Sequence, residues 1–97
     1  METLNLRLHA DAAPTYIDFC GPFLGRFYAL VAVDAFSKFP QVFVTTSAPG
    51  TFTKRALRRL FAREGVPQVV VSDNGSHFTG DELQTWLRSV GCESIFT

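Results

Sequence analysis

Phe27-Tyr28-Ala29-Leu30-Val31-Ala32-Val33 is an unbroken apolar run of seven residues, and the segments on either side of it decide the fold. The run has the length of a strand, and its continuous apolar character predicts burial on both faces, as in a central strand. Upstream, Tyr16-Ile17-Asp18-Phe19-Cys20 is a short strand closed by Gly21-Pro22, and a turn containing Gly25 joins the two. Downstream, residues 34–40 are enough to reverse the chain into Gln41-Val42-Phe43-Val44-Thr45-Thr46, a third strand antiparallel to the second.

The hydrophobic period changes at residue 51. Phe52, Ala56, Leu57, Leu60 and Phe61 make one helical stripe, with Lys54, Arg55, Arg58, Arg59 and Arg63 on the other side. Thr51 is the expected N-cap, and Gly65 followed by Pro67 is a strong stop. Val69-Val70-Val71 is a β-branched strand leading into Ser72-Asp73-Asn74-Gly75. Residues 81–90 read as a second helix with Leu83, Trp86, Leu87 and Val90 inward, ended by Gly91, and residues 93–96 as a last strand. Ahead of all this, Leu4, Leu6 and Leu8 alternate with polar residues until residues 11–14 break the pattern. The order β-β-β-α-β-α-β describes an α/β mixed sheet, three antiparallel strands followed by α-crossover strands. A small α+β sandwich with a regulatory role has the same elements.

Composition narrows the class. Apolar residues make up 46%, ten residues are phenylalanine and 19% are charged, which excludes a disordered or linker-like chain. Nine bases cancel nine acids, arguing against a protein that coats polyanions indiscriminately, though not against a local basic face. The apolar stretches are far short of a membrane span, and the N-terminus has no secretory pattern. Cys20 and Cys92 form neither a metal-ligand spacing nor a disulfide scaffold, and His9 and His77 lack the companions of a zinc site. A reducing compartment, nucleus or cytoplasm, is the expected setting.

Two aspartates stand out. Asp18 interrupts an apolar strand, so it is paired, metal-bound or turned to solvent on an amphipathic strand. Asp73 follows a strand at its C-terminal end, where sheets with parallel strands place polar ligands, although Asp-Asn-Gly is also ordinary turn chemistry. If their strands are neighbours, the two carboxylates could share a divalent ion, and oxygen ligands suit Mg²⁺ or Mn²⁺ better than Zn²⁺. Two such ions about 3.5–4 Å apart activate a nucleophile and stabilise the leaving oxygen in phosphoryl transfer. Asp81 and Glu82 open the second helix, where they complement its dipole and face solvent, and Glu93 comes near only if its strand points that way.

Three runs in order, Ile17-Asp18-Phe19-Cys20-Gly21-Pro22, then Val33-Asp34-Ala35-Phe36-Ser37-Lys38-Phe39-Pro40, then Val71-Ser72-Asp73-Asn74-Gly75-Ser76-His77-Phe78-Thr79, resemble the integrase catalytic core of retroviruses and LTR retrotransposons, above all the Gypsy type. The resemblance covers residues 16–96. It implies a ribonuclease-H-like fold incomplete at its C-terminus, with residues 1–15 an N-terminal extension and 16–97 a partial core. It also implies a site of two aspartates and a glutamate holding Mg²⁺ or Mn²⁺, which processes DNA 3′ ends and joins them to target DNA. Asp18 and Asp73 match the catalytic, metal-binding aspartates, and Asn74 and Gly75 match the turn that shapes the site. Asp34 and Lys38 match a further motif, with Asp34 expected to order backbone N–H groups and Lys38 to meet phosphate or solvent. Phe36, Phe39 and Phe78 are expected in the core or packed on turns.

The family's glutamate lies on a later helix, after a His-Pro and Asn-Gly region that follows the last matched motif. Glu82 and Glu93 fall at the wrong places for it, so the resemblance implies two of three ligands here, weak or absent metal binding, and little strand transfer. An exposed part of the apolar sheet face is a further consequence. The basic side of the first helix is either a solvated face or a contact surface for DNA phosphates or a protein. The expected partners are DNA, a second copy or segments of a parent polyprotein. The rival functions are a non-catalytic DNA-binding or dimerisation module and a ribonuclease-H-like nuclease.

Overall fold

A computed structural model describes residues 14–35, 37–46 and 49–97, with the side chains of 49–51 left aside. Strands β1 (Thr15–Phe23), β2 (Phe27–Asp34) and β3 (Pro40–Thr45) lead into helix α1 (Pro49–Glu64). Strand β4 (Val69–Ser72), the short helix α2 (Ser76–Thr79), helix α3 (Asp81–Ser89) and strand β5 (Glu93–Phe96) follow. The five strands form one mixed sheet in the order β3-β2-β1-β4-β5. β1, β2 and β3 pair antiparallel, while β1–β4 and β4–β5 are parallel. This is the mixed α/β sheet that the element order predicts, and it agrees with the ribonuclease-H-like fold that the resemblance implies.

Strand alternation sends Ile17, Leu30, Ala32 and Val70 to one face, where the α1 stripe Phe52, Ala56, Leu57, Leu60 and Phe61 covers them. Leu83 and Leu87 of α3 join that core, and Trp86 stacks on Phe61 with centroids 5.5 Å apart, tying the two helices together. Glycines end both long helices. Gly65 (φ 93°) donates its N–H to Phe61 O at 2.8 Å. Gly91 (φ 85°) and Cys92 donate their N–H groups to Arg88 O and Leu87 O, the two hydrogen bonds of a Schellman motif.

Several expectations need correction. β2 is buried on one face only: Leu30 and Ala32 are buried, but Ala29, Val31 and Val33 are half-buried, because both long helices pack on the other side of the sheet. Gly21-Pro22 does not end β1. The strand runs on to Phe23 through a bulge, with a cis Gly21-Pro22 bond and Gly21 at φ +124°, a conformation open to glycine. α1 starts at Pro49, two residues before the expected cap, as the fixed φ of proline favours at a first helical position. α2 was not anticipated. Val90 falls beyond α3 and is exposed, and Phe39 is 72% exposed instead of packed. Phe36, His9 and the alternating leucines of residues 4–8 lie outside the described residues.

Candidate metal site and basic helix face

Ile17 is buried and Asp18 exposed, so Asp18 projects from the sheet face that the helices leave open. Solvent, not the core, therefore receives this carboxylate. Its Oδ1 accepts the N–H of Phe19 at 2.9 Å. β1 and β4 are parallel neighbours with Thr15 opposite Val70 and Tyr16 opposite Val71. Asp18 is two residues past Tyr16, and Asp73 is two past its partner Val71, so the two lie level along neighbouring strands, Asp73 just beyond the end of β4. Asp73 lies just past the end of β4, exposed, and its Oδ1 accepts the Gly75 N–H at 2.8 Å in an Asx turn.

The turn is shaped by space more than by backbone freedom. Gly75 has φ −59°, which any residue can adopt. A Cβ built on it, however, would lie 2.8 Å from His77 Cε1 and 3.0 Å from Asp73 Oδ1. Asn74 is exposed within the turn. Beyond it, Phe78 is fully buried, and its N–H bonds Gly75 O at 2.9 Å, anchoring the turn to the core.

The other acids fall elsewhere. Glu93 pairs with Val69, four residues before Asp73, which at about 3.3 Å per residue is roughly 13 Å along the strand. Glu82 pairs with Lys54 Nζ at 3.4 Å on the helical side. Among the described residues, no cluster of three or more His, Cys, Asp or Glu side chains is placed to hold a metal. The Asp18–Asp73 pair still suits a hard divalent cation in kind. Both carboxylates are exposed, and among the described residues each accepts a backbone N–H through Oδ1.

Asp34 accepts the Ser37 N–H at 3.2 Å, the backbone-ordering duty expected of it, and Lys38 follows at φ 60°, exposed in the same turn. Since Asp34 pairs with Thr15, Lys38 sits at the end of the sheet away from Asp73. A partly enclosed cleft of about 130 Å³ lies at that same end, between Phe39, Gln41 and the last turn of α1. It is too small for an organic cofactor, whose pockets run to about 300–1,000 Å³. Cys20, half-buried, shares the open face with Asp18, and no disulfide joins it to the buried Cys92.

On α1, Arg55, Arg58, Arg59 and Arg63 are exposed and Lys54 is half-buried. Lys54 is engaged by Glu82, while Arg63 reaches Gln41 Oε1 at 2.7 Å and lies beside Glu64. The stripe starts near the Asp73 end and runs down the helical layer, on the opposite side of the sheet from Asp18. No helix among the described residues is long and apolar enough to cross a membrane.

Comparison with known proteins agrees with this geometry. The model of the family described as "Integrase core domain" matches residues 5–97. An uncharacterised protein of Caenorhabditis elegans is 37% identical over 78 residues, covering 80% of this chain and 6% of that protein. The Pol polyprotein of radiation murine leukemia virus is 32% identical over 94 residues, 93% of this chain and 16% of its own length. The Pro-Pol polyprotein of simian foamy virus type 1 is 31% identical over 85 residues, 84% and 7% respectively. The chain thus spans a small part of these relatives. Among solved structures, the magnesium complex of the HTLV-2 integrase catalytic core domain superposes with a TM-score of 0.77 at 21% identity, covering 86% of this chain and 58% of that one. An intasome of simian T-cell lymphotropic virus gives 0.78 at 19% identity, covering 87% and 31%. These two establish the fold. The family match over residues 5–97, the relatives at 31–37% identity and the sheet that fits them lead to one conclusion: the chain belongs to the integrase core domain family.

Proposed function

We propose that this chain supplies two carboxylate ligands, Asp18 and Asp73, of a Mg²⁺ or Mn²⁺ site for phosphoryl transfer on DNA, as in the end processing and strand transfer of DNA integration. The observation that supports the reading is the parallel β1–β4 pairing, which ends two residues before Asp18 on one strand and two before Asp73 on the other. When bound, divalent ions activate the attacking oxygen and stabilise the leaving one. The chain's own part is to hold the carboxylates. β1 fixes Asp18 through its ladder to β2, and the Asx turn on Gly75, anchored by Phe78, fixes Asp73. Asn74 and Gly75 shape that turn.

A third carboxylate would have to reach the same end of the sheet. Thr97 stands there, its N–H bonded to Ser72 O at 2.9 Å, whereas Glu82 and Glu93 do not. Two carboxylates alone hold a divalent ion weakly, and no third is placed with them among the described residues. Arg55, Arg58 and Arg59, for which no ion pair is found among the described residues, are the leading phosphate contacts, with Lys38, Lys54 and Arg63 secondary. DNA is the partner, and a second copy or segments of a polyprotein would complete the assembly.

The test is incubation of the chain with a duplex bearing a processed 3′ end and a target duplex, in Mg²⁺ or Mn²⁺. The reading predicts salt-sensitive DNA binding with joining weak or absent, and any joining lost in Asp18→Asn and Asp73→Asn. Efficient joining would refute the two-ligand account. Cleavage of an RNA–DNA hybrid without joining would show a nuclease instead.

A further inference from the structure

His77 lies on α2, four residues after Asp73, and its imidazole is half-buried. The ring packs on Phe19 with centroids 4.8 Å apart and meets Phe78 edge-on at 4.4 Å. Phe78 is fully buried, so the imidazole rests on a fixed floor. Its Cε1–Nε2 edge closes over Gly75, where an added Cβ would sit 2.8 Å and 3.0 Å from those atoms. Phe19 donates its N–H to Asp18 Oδ1, and Gly75 donates its N–H to Asp73 Oδ1. One side chain therefore bears on both residues whose amides hold the two carboxylates.

We infer that His77 is a positioning residue for the carboxylate pair: a rigid plate, packed on Phe19 and Gly75, that sets the spacing between the Asp18 strand and the Asp73 turn. The physical basis is order. The exposed Asp73 carboxylate is tied to its turn through one hydrogen bond, from the Gly75 N–H, and a ring braced on a buried phenylalanine limits how far that turn can move. Groups that orient ligands without touching the ion typically change metal affinity about 10–100-fold when removed. Gly75 belongs to the same device, because a methyl group there needs the space the imidazole fills. The inference rests on reading Asp18 and Asp73 as metal ligands, and its test separates the two.

The experiment compares the chain with His77→Ala and His77→Phe by amide hydrogen exchange and carboxyl resonances, first metal-free and then in a Mg²⁺ titration. In the metal-free state, His77→Ala should speed exchange of the Gly75 amide about tenfold and shift the Asp18 and Asp73 carboxyl signals. With Mg²⁺ it should weaken binding about tenfold or more. His77→Phe, which keeps a ring on Phe19, should restore most of both. Unchanged Gly75 exchange and carboxyl signals in His77→Ala would overturn the inference. So would a lower melting point accompanied by unchanged Mg²⁺ affinity of the folded protein. If the parent chain binds no Mg²⁺ while His77→Ala still loosens Gly75 and Phe restores it, the metal reading falls and the positioning role stands.

Discussion

Replacing Phe78 by alanine should cost this domain a large share of its stability, while the same change at Phe39 should cost little. Both phenylalanines fall within the family-like motifs, but Phe78 is 0% exposed in the core and Phe39 is 72% exposed beside the β2–β3 turn. Truncating a buried phenylalanine typically costs about 3–5 kcal/mol through lost transfer energy and the cavity left behind. A chain of 97 residues has about 5–15 kcal/mol in all, so Phe78→Ala removes roughly a fifth or more of it. Phe39 has most of its surface in water already, and its loss should cost at most about 1 kcal/mol. Urea unfolding followed by tryptophan fluorescence measures both, because Trp86 stacks on Phe61 in the same core. The midpoint should fall far more for Phe78→Ala, and Phe78→Leu should lie between, at about 1–2 kcal/mol. Equal losses at the two sites, or a Phe78→Ala cost under about 1 kcal/mol, would refute the claim that α2 anchors the Asp73 turn through this side chain.

Gly21→Ala should destabilise the fold by about 1–3 kcal/mol or more in the same assay, since φ is +124° and the new Cβ would meet Phe27 O at 2.7 Å. Gly25→Ala, at φ +74° with open space around it, should cost only about 1–2 kcal/mol. On the open sheet face Val42 and Val44 are exposed on an edge strand, so Val42→Lys with Val44→Lys should lower dye binding to apolar surface and leave stability within about 0.5 kcal/mol per site. Replacing Arg55, Arg58 and Arg59 together by alanine should flatten the slope of log affinity against log salt for duplex DNA by about 0.9 per lost phosphate contact. An unchanged slope would mark the stripe as a solvated face.

The residues that revealed themselves in the sequence are those whose environment follows from local period. Ala56, Leu57 and Leu60 recur at helical spacing and are buried as that spacing requires, and Gly65 and Gly91 end their helices with the positive φ that made them stops. What stayed hidden depends on distant packing. Asp18 could have faced either way on its strand, until the helices covered the Ile17 side and left it to solvent. Gly21-Pro22 has the composition of a break, yet the hairpin partner at Phe27 carries the strand through as a bulge. α2 is one turn between Gly75 and Gly80, too short for any period, and only the burial of Phe78 gives it away. Glu93 could be judged only once β4 and β5 were known to be parallel, since that places it at the wrong end. His77 stands in the third motif, close to Asp73 in sequence, but its packing depends on Phe19 and Gly75 and so could not be read from the motif.

The central claim is that Asp18 and Asp73 act as one ligand pair, and a Mg²⁺ titration read on their two carboxyl carbon resonances tests it most directly. The account predicts that both signals move together along a single saturable curve in the millimolar range. Asp18→Asn should abolish the response at Asp73, and Asp73→Asn the response at Asp18. Signals that move independently, or that show no saturation across that range, would contradict it.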